Sequence, residues 1–148
     1  ALGVYCEGGL TVKAIEIYEV GLSGTIPWEL CLLSDLSSLD LSFNPLVGSI
    51  PTELCQLSRL ELFNLLYNEL EGTIPTEIGQ MTALTELHLS FNYLAGTLPT
   101  ELGKLTQLSL LWLKHNSLTG IIPTEFGKLS ALSSLDLSEN LFMGTFPT

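Results

Sequence analysis

Residues 81–105 read MTALTELHLSFNYLAGTLPTELGKL, and the same pattern returns every 24 residues. With Leu33, Leu57, Met81, Leu105 and Leu129 in one column, four complete coils align without a gap: 33–56, 57–80, 81–104 and 105–128. A fifth, 129–148, is four residues shorter, and a weaker one precedes them over 9–32. Self-similarity at such a period is the mark of a solenoid, in which each unit buries its apolar face against its neighbours.

Each column of the repeat has a physical reading. Position 4 is Leu36, Leu60, Leu84, Leu108 and Leu132. Position 7 is Ile15, Leu39, Phe63, Leu87, Leu111 and Leu135, and position 9 is Ile17, Leu41, Leu65, Leu89, Leu113 and Leu137. Positions 7 and 9 lie two apart and share one face of a short strand, the core face. Position 12 is Asn44, Asn68, Asn92, Asn116 and Asn140, replaced by Val20 in the first coil. One buried amide per coil can bond the backbone as the chain leaves its strand, so the column predicts a structural ladder. Position 16 is glycine in all six coils and position 19 is proline. Between them lies a short extended piece such as Thr73-Ile74, which predicts a second sheet. Pro-Thr-Glu-Leu-Gly then predicts one 3₁₀ turn per coil, with proline at its first position, glutamate at its positive start and glycine at its end.

Composition narrows the function. Five basic against sixteen acidic residues give a net charge of −11. A nucleic-acid binder needs a basic footprint, which is missing here, and an anionic membrane surface would repel the chain. A basic partner is the electrostatic complement. Polar residues interrupt every apolar run well short of the ~18 residues a membrane span needs.

These columns resemble the plant-type leucine-rich-repeat consensus LxxLxxLxLxxNxLxGxIPxxLGxL over residues 9–148. The family includes plant receptor-kinase ectodomains, polygalacturonase-inhibiting proteins and algal, notably diatom, proteins. The resemblance implies an α/β repeat solenoid: a right-handed superhelix with a parallel sheet on its concave face and 3₁₀ turns on its convex face. Gly3-Val4-Tyr5-Cys6 resembles the tail of the family's N-terminal cap, so residues 1–8 are expected to be a cap remnant and the chain a fragment of a longer protein, with Cys6 pairing to a cap cysteine outside it.

Cys31 and Cys55 share position 23 in adjacent coils, about 4.7–5 Å apart by strand spacing, within reach of a disulfide. The alternative is two small buried thiols, which the parallel aim of ladder side chains favours.

The variable positions 8, 10 and 11 are expected to line the concave face. Aromatic residues gather in the middle coils and acids lie at both ends, the usual build of a binding patch. The candidate ligand-binding residues are Tyr18, Phe43, Tyr67, His88, Phe91, Trp112, Lys114 and His115, with Trp112 expected to be exposed. Phe43, Tyr67 and Phe91 have a second reading, as a stack covering the Asn ladder. A column of Thr25, Ser49, Thr73, Thr97 and Thr145, broken by Ile121, reads as β-propensity in the second sheet before it reads as an ice-binding array.

No catalytic residues, metal ligands or cofactor are expected. The two histidines stand roughly 10–12 Å apart by strand geometry, and no nucleophile elbow, zinc motif or phosphate loop is present. The leading expectation is a non-catalytic recognition module for a protein, peptide or glycan, extracellular or at the cell surface. The rival is an auxiliary subunit of a larger assembly, for instance in an organelle lumen, which the absence of any Asn-x-Ser/Thr sequon keeps open.

Overall fold

The computed structural model describes residues 2–6 and 11–145. They form a leucine-rich-repeat solenoid. The concave sheet has seven strands, and six follow the chain: Val12–Ile17, Ser38–Asp40, Leu62–Asn64, Glu86–His88, Leu110–Trp112 and Ser134–Asp136. Each pairs in parallel with the next at a shift of one repeat, so that Leu39, Phe63 and Leu87 stand side by side. The seventh strand, Leu2–Cys6, runs antiparallel to Val12–Ile17 and occupies the N-terminal edge. Of Cys6 only the backbone falls within the described residues, so its expected pairing lies outside them.

The strands are short because each coil turns sharply after position 10. Position 11 has left-handed φ in every coil, between 53° and 56° at Glu19, Phe43, Tyr67, Phe91, His115 and Glu139. Non-glycine residues rarely adopt this conformation, which costs on the order of 1 kcal/mol. Hydrogen bonds to the next coil hold it: Phe43 N donates to Leu66 O at 2.8 Å and Phe91 N to Lys114 O at 2.8 Å. The turn aims the following asparagine inward. Asn92 is typical. Its two N–H groups are shared among Leu65 O (2.9 Å), Leu89 O (3.1 Å) and Ser90 O (3.3 Å), and its Oδ1 accepts from Leu70 N at 3.0 Å. Asn44, Asn68, Asn116 and Asn140 repeat this bonding, and the expected ladder is present.

Behind the sheet, the residues at positions 1, 4, 7, 9, 14, 18 and 22 of the middle coils are fully or nearly fully buried, giving one continuous core. Each fully buried aliphatic side chain contributes roughly 1.5–3 kcal/mol. Phe63 stands where other coils have leucine or isoleucine and is also fully buried.

After position 12 the chain forms a second layer of short strands. Gly24–Thr25, Leu46–Gly48 and Glu69–Leu70 make one three-stranded sheet, and Ala95–Thr97, Ser117–Gly120 and Leu141–Phe142 make another. A single bridge from Thr73 to Ala95 links them. The position-16 glycines all have positive φ, and Gly96 and Gly120 also lack room for a Cβ. Gly96 has φ +79°, and a Cβ there would lie 2.9 Å from the Thr73 methyl carbon. The threonine column thus packs its methyl groups against the next coil.

The 3₁₀ turns are Trp28–Leu32, Thr52–Gln56, Thr76–Gln80, Thr100–Lys104 and Thr124–Lys128. Two details differ from expectation. Proline occupies the N-cap in extended geometry, one residue before the turn, where its lack of an N–H costs nothing. Glycine at position 23 lies inside the turn and serves close packing rather than termination. A Cβ on Gly79 or Gly103 would lie 2.8 or 2.6 Å from a backbone carbonyl of the next coil, Glu101 O or Glu125 O. Cys31 and Cys55, at this position in the first two coils, are free thiols rather than a disulfide. Cys55 is fully buried, and burial, with Glu77 and Glu53 nearby, pushes its thiol up to about 12.

Candidate functional site

The concave surface is built from strand residues at positions 6 and 8 and from the turn at positions 10 and 11. Position 11 carries the main feature. Its left-handed backbone projects one side chain per coil at the same angle, and the coil spacing brings successive rings face to face. Phe43 and Tyr67 stack at 4.9 Å with 16° between planes, Tyr67 and Phe91 at 4.1 Å and 5°, and Phe91 and His115 at 5.1 Å and 25°. The ladder is stacked and also open to solvent: Phe43 is 48% and Tyr67 45% exposed. Such pairs contribute roughly 0.5–1.5 kcal/mol beyond their area. Stacking and presentation therefore coexist in these residues.

One end of the ladder is closed by charge. Glu139 accepts from His115 Nδ1 at 2.8 Å and from Lys114 Nζ at 3.1 Å, and Lys114 Nζ lies 5.9 Å from the Phe91 ring centroid. The hydrogen bonds from His115, then Lys114, hold the Glu139 carboxyl below its ordinary range. The bond to Glu139 raises Lys114 in turn. Lys114 and His115 thus form one ion-paired cluster.

Position 8 departs from expectation. Trp112 is half-buried rather than exposed: its indole N–H donates to Ser134 Oγ at 3.0 Å, and its ring lies tilted on His88 at 4.5 Å. His88, expected as a surface contact, is buried at 8% exposure beneath that indole, with Nε2 3.0 Å from the Glu86 carboxylate. Its ring packs against Trp112 rather than standing open to solvent. Glu86 and Ser134 were not anticipated, although position 6 shares the strand face with position 8 and marks them.

Position 10 also presents less than expected. Ser42 and Ser90 are buried, each flanked in its column by longer side chains, while Tyr18 is half-buried. The two position-8 aspartates are engaged locally. Asp40 accepts from Ser42 Oγ at 2.6 Å and from Asn64 Nδ2 at 3.0 Å. Asp136 accepts from Ser138 Oγ at 2.6 Å, which holds its carboxyl below the ordinary range. Among the described residues, no group of three or more His, Cys, Asp or Glu side chains is placed to hold a metal ion, and no helix is long and apolar enough to cross a membrane.

The geometry is that of a ribbed surface with an aromatic ridge. The leucine-rich-repeat sequence model matches residues 34–94 and 82–142, and the chain belongs to that family. Solved structures similar to it include plant receptor ectodomains. It is similar to the leucine-rich-repeat ectodomain of the membrane receptor kinase GASSHO1/SCHENGEN3 from Arabidopsis thaliana, solved with CASPARIAN STRIP INTEGRITY FACTOR 2, at 37% identity and a TM-score of 0.95 over 99% of this chain and 18% of that one. It is similar to the plant peptide hormone receptor RGFR1 in complex with RGF2, at 38% identity and a TM-score of 0.90 over 91% and 22%. The Arabidopsis thaliana BIR3–SERK2 complex gives 36% identity and a TM-score of 0.86 over 97% and 76%. The chain spans about a fifth of the length of the first two. No curated protein matches it.

Proposed function

We propose that the chain is a non-catalytic recognition module that binds a peptide or protein on its concave surface, in an extracellular or cell-surface setting. The observation that carries this reading is the open aromatic ladder Phe43–Tyr67–Phe91, which exposes apolar rings on a face built from rigid strands. Contiguous exposed aromatic surface is characteristic of recognition, because rigid rings bury large area at little entropic cost. The relatives add support, since one is a receptor ectodomain solved with CASPARIAN STRIP INTEGRITY FACTOR 2, another a peptide hormone receptor solved with RGF2, and a third a BIR3–SERK2 complex. On this reading Phe43, Tyr67, Phe91 and Trp112 make contact, Tyr18 and the Lys114–His115 cluster border them, and His88 positions Trp112. Residues 1–8 act as the tail of a terminal cap.

A random linear peptide library displayed on phage and selected on the purified chain tests the proposal, with selected peptides re-measured by calorimetry. Trp112→Ala and Phe91→Ala are expected to weaken binding about 30-fold each, the size of a central hot spot. Thr100→Ala on the convex side is expected to leave it unchanged. Peptides whose affinity falls with Thr100→Ala and ignores both aromatic changes would overturn the assignment.

A further inference from the structure

The two ends of the aromatic ladder are unequal, and the difference indicates what the open end takes. At the closed end, Phe91 is capped by His115 and approached by the Lys114 ammonium, and both are held by the Glu139 carboxylate. Ring face, cation and carboxylate form one arrangement supplied wholly by the chain. At the other end, among the described residues, no cation is paired to the column. Among the described residues Phe43 stacks on Tyr67 alone, and the column continues to Glu19, one coil spacing of ~4.8 Å away. Glu19, Phe43, Pro45, Tyr67 and Glu69 line an open hollow of about 420 Å³. Among the described residues, neither Glu19 nor Glu69 has an ion-pair partner. The two basic residues of the first three coils are engaged elsewhere: Lys13 and Arg59 both pair with Asp35.

We propose that this hollow is a subsite for a cationic side chain, arginine before lysine, brought by a peptide or protein partner. A guanidinium is planar and weakly hydrated, stacks on an aromatic face and still offers N–H donors to flanking carboxylates. The open ring face, two unpaired carboxylates and a chain of charge −11 match that group and repel an acidic one. The proposal rests on the recognition reading above and adds the chemistry of one partner residue to it.

The probe is acetyl-Gly-Arg-Gly-amide, compared with its citrulline counterpart, which keeps the shape and loses the charge. Binding is followed by two-dimensional NMR of the Phe43 and Tyr67 rings. The arginine probe is expected to shift both rings saturably at millimolar concentration, with citrulline at least fivefold weaker. Phe43→Leu and Glu19→Gln should each weaken it about two- to fivefold, the size of an exposed cation–π or ion-pair contact. Glu125→Gln, which removes the same charge from the convex side, should leave it unchanged. Equal binding of citrulline, or equal weakening by Glu125→Gln and Glu19→Gln, overturns the subsite and reduces it to general attraction by the acidic surface. The two proposals fail separately. Phage peptides that depend on Trp112, with a tripeptide that leaves Phe43 unmoved, sink this inference alone. A tripeptide seated on Phe43, with no peptide binding through Trp112, upholds the subsite and sinks the wider reading.

Discussion

Replacing Asn92 by alanine tests how the concave surface is held in shape. Asn92 is 3% exposed and sits one residue after Phe91, at the middle of the ladder. Its loss affects two sets of groups unequally. The carbonyls it serves keep other donors: Asn68 Nδ2 to Leu65 O, Asn116 Nδ2 to Leu89 O, and Tyr67 N to Ser90 O. The Leu70 N–H bonds only to Asn92 Oδ1, and Leu70 is fully buried. An orphaned buried donor costs roughly 2 kcal/mol, and the other lost bonds, each of modest net worth, add about 1 kcal/mol. Asn92→Ala should therefore destabilise by about 3 kcal/mol, lowering Tm by roughly 6–12 °C for a chain of this size. Asn92→Asp separates the two roles. It keeps an acceptor for Leu70 N–H but directs a carboxylate at three carbonyls, so it should cost more than alanine at neutral pH. That excess should shrink as acid protonates the group. Urea unfolding at pH 7 and pH 4 reads both. A cost under about 1 kcal/mol for Asn92→Ala, or a milder effect of aspartate than alanine at pH 7, would refute the ladder as the source of rigidity.

Two further predictions concern the convex side. Gly103→Ala places a carbon 2.6 Å from Glu125 O and must push two coils apart, so it should cost about 1–3 kcal/mol in urea unfolding. Gly127→Ala meets nothing within 4 Å and should stay within about 0.5 kcal/mol of the parent. Cys55 should resist alkylation at pH 8 in the folded chain and react fully in denaturant, with Cys31 reacting first, as read by mass spectrometry of the labelled peptides. Its folded value near 12 lies above the ordinary thiol value, so burial of the neutral thiol favours folding below pH ~8.5. That contribution is lost as pH rises toward 12.

Much of this molecule was legible because the repeat states each constraint five or six times. A single Asn92 has many readings, whereas five asparagines at one position, each beside a core leucine, have one. The strand core, the Asn ladder and the 3₁₀ turns followed from columns of that kind, whereas the second sheet, expected after the glycine at Thr73-Ile74, is two sheets whose strands lie mainly before it, as at Glu69–Leu70 and Ser117–Gly120. The surface was less legible because its residues act singly. That His88 lies beneath Trp112 depends on two side chains 24 residues apart, on Glu86 behind one and on Ser134 ahead of the other. None of these contacts repeats among the described residues. The left-handed turn at position 11 was also unmarked, since no glycine signals it. Glycine at position 23 was assigned to helix termination on local grounds, while its function depends on the carbonyl of the following coil.

The narrow range of φ at position 11 has a wider consequence. Glutamate, phenylalanine, tyrosine and histidine all adopt it within 3°, although their intrinsic preferences differ. Neighbouring coils impose the conformation, and the side chain merely occupies it. The column therefore works as a row of interchangeable type set in a fixed frame. Each coil prints one character on the open face, and exchanging that character changes the text without moving the frame. In a scaffold of this kind, new specificity requires no new fold, only a rewritten line.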